Sequence, residues 1–229
     1  MDYRETPPPP HLSGLIKARW TLAADGAAGE WLPQQATPDG CVEIIRRTRG
    51  QSRWDGDQPQ SFVVGLVGRP QPFEIGGDAA FEALRLWPWA WRVVGEGDGA
   101  DLHGRWAAWD APDFDTIEAR LAVETGLDAI GTAILAAPTV AAMSAATAMP
   151  PRALQRWFAA HVGLPPRAWL RLRRFQTAFE TLPGEASLAG HAAERGYADQ
   201  AHMAREFREL AGLPAGQARA RAKGPFLRS

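Results

Sequence analysis

The carboxy-terminal half of the chain repeats itself, and this repeat limits the possible folds more than any other feature. Sliding the sequence by 49 residues sets Leu154 on Met203, Arg156 on Arg205, Phe158 on Phe207, Gly163 on Gly212, Leu164 on Leu213 and Pro165 on Pro214. Six chemically compatible matches at one offset indicate two copies of one supersecondary unit. Each copy reads as a short helix, a tight turn and a longer helix. In the second copy, Ser187 can cap a helix whose inner face is Leu188 and Ala192, Gly196-Tyr197-Ala198 forms the turn, and Asp199 can cap a helix with Met203 and Phe207 at i, i+4. Gly212 ends that helix and Pro214 prevents its continuation. In the first copy, Val140 and Met143 face inward, Pro150-Pro151 open the longer helix, Leu154 and Phe158 form its core pair, and Gly163 stops it. Between the copies, Trp169, Leu172, Phe175, Phe179 and Leu182 share one helical face, so a linking helix fixes the two units relative to each other.

Two helices joined by a short turn make a helix-turn-helix, whose second helix enters the major groove of DNA. With Leu154 and Phe158 buried, Arg152, Gln155 and Arg156 project outward, and Gln200, His202 and Arg205 are their counterparts. Arginine makes bidentate bonds to guanine and glutamine to adenine, so both faces carry groups that can read bases. Arg167, Arg171, Arg173, Arg174 and Arg208 are placed to meet phosphates. Arginine runs are often only solvated helix faces. Their coincidence with a duplicated helix-turn-helix favours double-stranded DNA as the partner.

The charge distribution agrees. The chain of 229 residues has a formal charge of −1, which conceals a division. Residues 1–134 hold 12 Lys/Arg against 20 Asp/Glu, a net of −8, and the remainder holds 13 against 6, a net of +7. The basic half has the electrostatics of a polyanion binder.

The stretches RALQRWFAAHVGLPPRAWLRLRRFQTAF and SLAGHAAERGYADQAHMAREFRELAGLP resemble the DNA-binding domain of AraC-type transcriptional regulators, with GYADQAHMAREF as the most specific element. The resemblance covers about residues 138–221. It implies a seven-helix domain whose two helix-turn-helix units read successive major-groove segments about 34 Å apart. It also assigns base contact to Arg152, Gln155, Arg156, Gln200, His202 and Arg205. The first unit departs from the family pattern, with Ala148 where glycine is common in the turn and Pro150 where serine caps the helix. Losing that cap costs about 1 kcal/mol.

In residues 12–95, SGLIKARWTLA, CVEIIRRT, SFVVGLV and FEALRLW are apolar runs separated by the turn chemistry of PDG, WDGD, GRPQP and IGGD. They predict an antiparallel sandwich or small barrel. TPDGCVEII and LRLWPW are similar to a module often attached to AraC-type domains, which implies a cupin-like fold with a sensing role. The expected architecture is therefore α+β: a cupin-like domain over 1–110, a connecting or dimerising helix over 111–135, the double helix-turn-helix over 136–221, and a tail over 222–229.

Eight of the ten tryptophans precede residue 110. Packing is the commoner use of such residues, while Trp20, Trp87, Trp89 and Trp91 are candidates for an aromatic effector pocket. The last three share a face if their segment is extended. The single cysteine, Cys41, excludes an intrachain disulfide or a cysteine zinc site and fits a reducing cytoplasm. A buried, inert thiol is its expected state. The five histidines show no H-x-H or H-E-x-x-H spacing, so neither a metal nor another cofactor is expected. Residues 129–151 are uncharged but rich in Ala, Ser and Thr and broken by Pro138, which predicts two soluble helices rather than a membrane span. The expected protein is a cytoplasmic DNA-binding regulator, with a small-molecule effector and a homodimer as possible further partners. A cupin-type enzyme fused to a DNA anchor is the competing reading.

Overall fold

The computed structural model describes residues 1–229 apart from 96, 98, 111, 183–186, 224, 225 and 229, and only the backbone from 221 onward. The amino-terminal strands are β1 (Asp2–Thr6), β2 (Ile16–Ala23), β3 (Trp31–Ala36), β4 (Val42–Arg49), β5 (Ser52–Arg53), β6 (Ser61–Val64), β7 (Gln71–Gly76), β8 (Ala80–Leu86) and β9 (Trp106–Ala108). Two more, β10 (Ala222–Lys223) and β11 (Phe226–Arg228), come from the segment expected to be a tail. All pair antiparallel, in sheets ordered β1-β2-β8-β4-β6-β9 and β10-β11-β3-β7-β5.

Side chains alternate across a strand, and the first sheet uses both of its faces. From β8, Phe81 and Ala83 join a core with Trp20, Ile45 and Phe62, which meets Ile75 of the second sheet. Leu84 and Leu86 point the other way, into a core shared with the helices. The four apolar runs seen in the sequence all fall in this doubly covered sheet. A two-faced strand reads as nearly continuous apolar sequence, which is why these four were recognisable. The strands of the second sheet read as polar and turn-like.

The helices are α1 (Trp91–Val94), α2 (Phe114–Ala122), α3 (Thr125–Ala136), α4 (Val140–Ala146), α5 (Pro151–His161), α6 (Pro166–Thr181), α7 (Leu188–Glu194), α8 (Gln200–Leu210) and α9 (Ala215–Arg221). The expected connecting helix is thus two helices, split near Glu124. Ile117, Leu121 and Ile134 bury their side chains within the chain's own core. Between residues 138 and 221 the described residues form six helices, α4 to α9, against the seven expected there, and α3 belongs to the connecting region before them. The uncharged stretch forms α3 and α4 with the break at Pro138, and no helix among the described residues is long and apolar enough to cross a membrane.

The helical half is seated on the first sheet around Trp169. This fully buried ring lies 5.4 Å from Trp89, 6.2 Å from Trp87 and 5.8 Å from Phe158. Close approach of α3 to the β-domain requires glycine: a Cβ on Gly131 would stand 2.1 Å from the Gly14 carbonyl.

Candidate nucleic-acid interface

The pairs α4–α5 and α7–α8 are the two repeat units. Thr139 and Ser187 cap α4 and α7 alike, each side-chain oxygen accepting from the backbone N–H three residues on, at 3.1 and 3.3 Å. These first helices correspond at an offset of 48 residues and the second helices at 49, so the first turn is one residue shorter. Glycine at 196 adopts φ +73°, and Ala148 occupies the matching place with φ +53°. A side chain in this left-handed region is strained. Asp199 caps α8 through the His202 N–H at 2.6 Å, whereas Pro150 offers α5 no side-chain cap. Pro151, in the first turn, fits a position that needs no N–H donor.

Leu154 and Phe158 on α5 and Met203 and Phe207 on α8 are fully buried. Arg152, Gln155, Arg156, Gln200 and Arg205 are exposed on the same helices, and His202 is half-buried beside Tyr197 with ring centroids 5.4 Å apart. Both recognition helices pack on α6. Phe158 meets Trp169, while Phe207 meets Phe175 at 5.1 Å and Phe179 at 6.4 Å. Trp169 and Phe175 stand about 9 Å apart along the axis at 1.5 Å per residue. One rigid helix therefore sets the spacing of the two units.

The arginines divide into groups. Arg167 and Arg208 are exposed. Arg171 donates to Glu206 at 3.1 Å and to Glu209 at 2.8 Å, and Arg174 donates to Glu206 at 2.8 Å with its guanidinium 4.8 Å from the Tyr197 ring. Glu206 is buried on α8 and also accepts from the Tyr197 hydroxyl at 3.0 Å. These two arginines therefore lock α6 to the second recognition helix. Arg173 donates to the Leu135 carbonyl at 2.9 Å and lies over Trp169 at 5.1 Å. Arg167, Arg171, Arg174, Arg195 and His202 line one open groove between α6 and the second turn. The sequence reading missed Arg195 and the Glu206 network. The signal for the network was an acidic residue inside a helix otherwise set to face DNA.

The four candidate effector tryptophans are not brought together. Trp20 lines a cavity between the two sheets with Trp54, Phe62, Phe73, Phe81 and Gln34. Trp87 and Trp89 stack at 6.0 Å in the core under the helices, and Trp91 packs edge-on against Trp109 at 5.1 Å. Pro88 opens a 3-10 turn that runs into α1, so the Trp87–Trp91 segment is not the extended strand that would have aligned the rings. The cavity leaves about 60 Å³ open to water-sized molecules, roughly four waters' worth on the scale of about 10–15 Å³ per water. Its polar lining is Gln34, Ser52, Gln58 and Glu43, and Glu43 Oε1 accepts from Arg85 Nε at 2.6 Å and from Trp20 Nε1 at 3.0 Å. Burial pushes the Glu43 carboxyl above the ordinary carboxylate range against the pull of Arg85.

Cys41 is buried, and its thiol is pushed well above its usual value by burial and by Asp39. Among the described residues no group of three His, Cys, Asp or Glu side chains could hold a metal ion.

Residues 143–221 match a family described as a helix-turn-helix domain, and residues 4–105 match a Domain of unknown function (DUF6597). No curated protein sequence matches the chain. Among solved structures it is similar to ToxT from Vibrio cholerae. One is ToxT of O395 bound to (E)-4-(8-methylnaphthalen-1-yl)but-3-enoic acid, at 7% identity over 95% of this chain and 98% of that one, TM-score 0.47. Another is an apo, singly substituted ToxT of strain SCE256, at 10% identity over 87% and 96%, TM-score 0.46.

Proposed function

We propose that this chain, a DNA-binding transcription regulator of the AraC type, reads base pairs with the exposed faces of α5 and α8 and senses a small molecule between the sheets of its amino-terminal domain. The observation that carries the reading is the duplicated unit itself: two recognition helices anchored on one helix, each turning Arg and Gln side chains to solvent opposite a fully buried apolar pair. Arg152, Gln155 and Arg156 read one major-groove segment, and Gln200, His202 and Arg205 read the next. Arg167, Arg171, Arg174 and Arg208 meet phosphates, which supply affinity without sequence information. Duplex DNA places the site of action in the cytoplasm, and the chain acts by binding, with no catalytic step assigned to any residue. Trp20 belongs to the sensing cavity, while Trp87, Trp89 and Trp91 serve the contact between the domains.

Selecting bound duplexes from a random pool tests this. The enriched site should contain two elements about one helical turn apart. Arg205→Ala should relax the base preference in one element only, with a loss of about 1–3 kcal/mol in discrimination. Recovery of no common sequence would reject it.

A further inference from the structure

The β-domain holds both recognition helices at their carboxy-terminal ends. Arg92 donates to the Ala160 carbonyl on α5 at 2.6 Å, and a ring nitrogen of His103 stands 2.9 Å from the Val162 carbonyl just beyond it. Gln35 of β3 donates to the Ala211 carbonyl, at the end of α8, at 2.8 Å. Carbonyls at a helix end have no partner within the helix, so these bonds fix how each helix end sits on the β-domain.

Gln34 is the neighbour of Gln35 on the opposite face of the same strand. Its side chain lines the cavity between the sheets, it is 7% exposed, and its Oε1 is buried without a hydrogen-bond partner. An acceptor left in this state costs the desolvation of that atom, and a ligand that donates to it recovers the cost. The remaining cavity surface is dominated by rings and aliphatic groups, and at about 60 Å³ it is smaller than the roughly 150 Å³ that holds benzene, so a small ring enters only by moving the strands apart.

We propose, building on the reading of the cavity as the sensing site, that it takes a compact aromatic or apolar molecule with one hydrogen-bond donor, which donates to Gln34, and that β3 passes occupancy to the second recognition helix through Gln35 and Ala211. Gln34 is the residue that selects the ligand. Gln35 is a positioning residue that touches neither ligand nor DNA. The ligand changes DNA binding only to the extent that it prefers one arrangement of β3 over the other.

Phenol and toluene are matched probes, since they differ in the donor and little in size. With the full chain, millimolar phenol should raise the thermal midpoint and shift duplex affinity about fivefold or more. Toluene should bind at least about tenfold more weakly, because it leaves Oε1 unpaired. Gln34→Leu should abolish the preference for phenol, and Gln34→Met serves if the leucine variant does not fold. Gln35→Leu should keep phenol binding but remove the response of duplex affinity to phenol, a ratio that a general loss of stability would not alter. Equal binding of the two probes, binding of neither, an unchanged preference in both Gln34 variants, or an intact response in Gln35→Leu would each overturn the proposal. Failure of the chain to bind any duplex would sink the regulator reading instead, because phenol binding remains measurable by the thermal midpoint alone.

Discussion

The indole N–H of Trp169 donates to the carbonyl of Gly40 at 3.1 Å, bonding the helix that carries both recognition units to a turn of the β-domain. Around this bond the acidic and basic halves share one continuous core, which includes Leu84 and Leu86 of the sheet and Phe158 and Phe175 of the helices. The two halves are therefore not beads on a linker.

Replacing the central ring should destabilise both halves together. Trp169→Ala should cost about 3–5 kcal/mol, as expected for a fully buried aromatic side chain. Trp169→Phe should cost about 1–3 kcal/mol, since the Gly40 carbonyl loses its donor. Urea unfolding followed by circular dichroism should show a single shifted transition, and early melting of one half would contradict the shared core.

Relief of the strained turn should run in opposite directions in the two units. Ala148→Gly should stabilise by about 1 kcal/mol, because φ +53° suits glycine, and Gly196→Ala should destabilise by a similar amount at φ +73°. A Cβ at 196 would meet nothing within 4 Å, so its effect comes from backbone conformation alone. Thermal midpoints of the two variants check both signs.

The contact between the domains should weaken in acid. Burial pushes the Glu180 carboxyl up, but the Lys17 ammonium at 2.8 Å and the Gln176 amide pull it below the ordinary carboxylate range. A carboxyl whose folded value is depressed stabilises above its unfolded value of about 4.3 and loses that contribution as pH falls through the folded value. The Glu180 side chain is 40% exposed, so the effect is modest. Glu180→Gln should flatten the fall in thermal midpoint below about pH 4.3, and an unchanged profile would contradict the assignment.

Two arginines of the basic groove should behave differently. Arg167→Ala should weaken all duplexes alike and lower the salt slope by about one, with little change in stability, because Arg167 is exposed. Arg171→Ala should also lower the thermal midpoint, since it removes partners from Glu206 and Glu209. Equal midpoints for the two variants would contradict the locking of α6 to α8.

The helical half was legible because its constraints are local. The spacing of Leu154 and Phe158, the caps Ser187 and Asp199, and the glycine at 196 act within a few residues, and the repeat stated the core pair twice. Ala148 and Pro150 were recognisable as departures only against the pattern of the family that the sequence resembles. The second sheet was hidden because QPFEIG and WLPQQA carry proline and polar residues that face solvent or a cavity, so no alternation stood out. The place of Trp87, Trp89 and Trp91 depends on Pro88 turning the chain and on Trp169, 80 residues or so away, arriving beneath them. Gln34 and Gln35 could not be told apart in sequence, because only tertiary packing sends one into the cavity and the other to α8.

The salt dependence of duplex binding tests the central claim most directly. If α5 and α8 engage one duplex together and about six phosphates are neutralised, affinity should fall roughly a thousandfold between about 50 and 200 mM salt. Affinity that stays flat over that range would contradict the account.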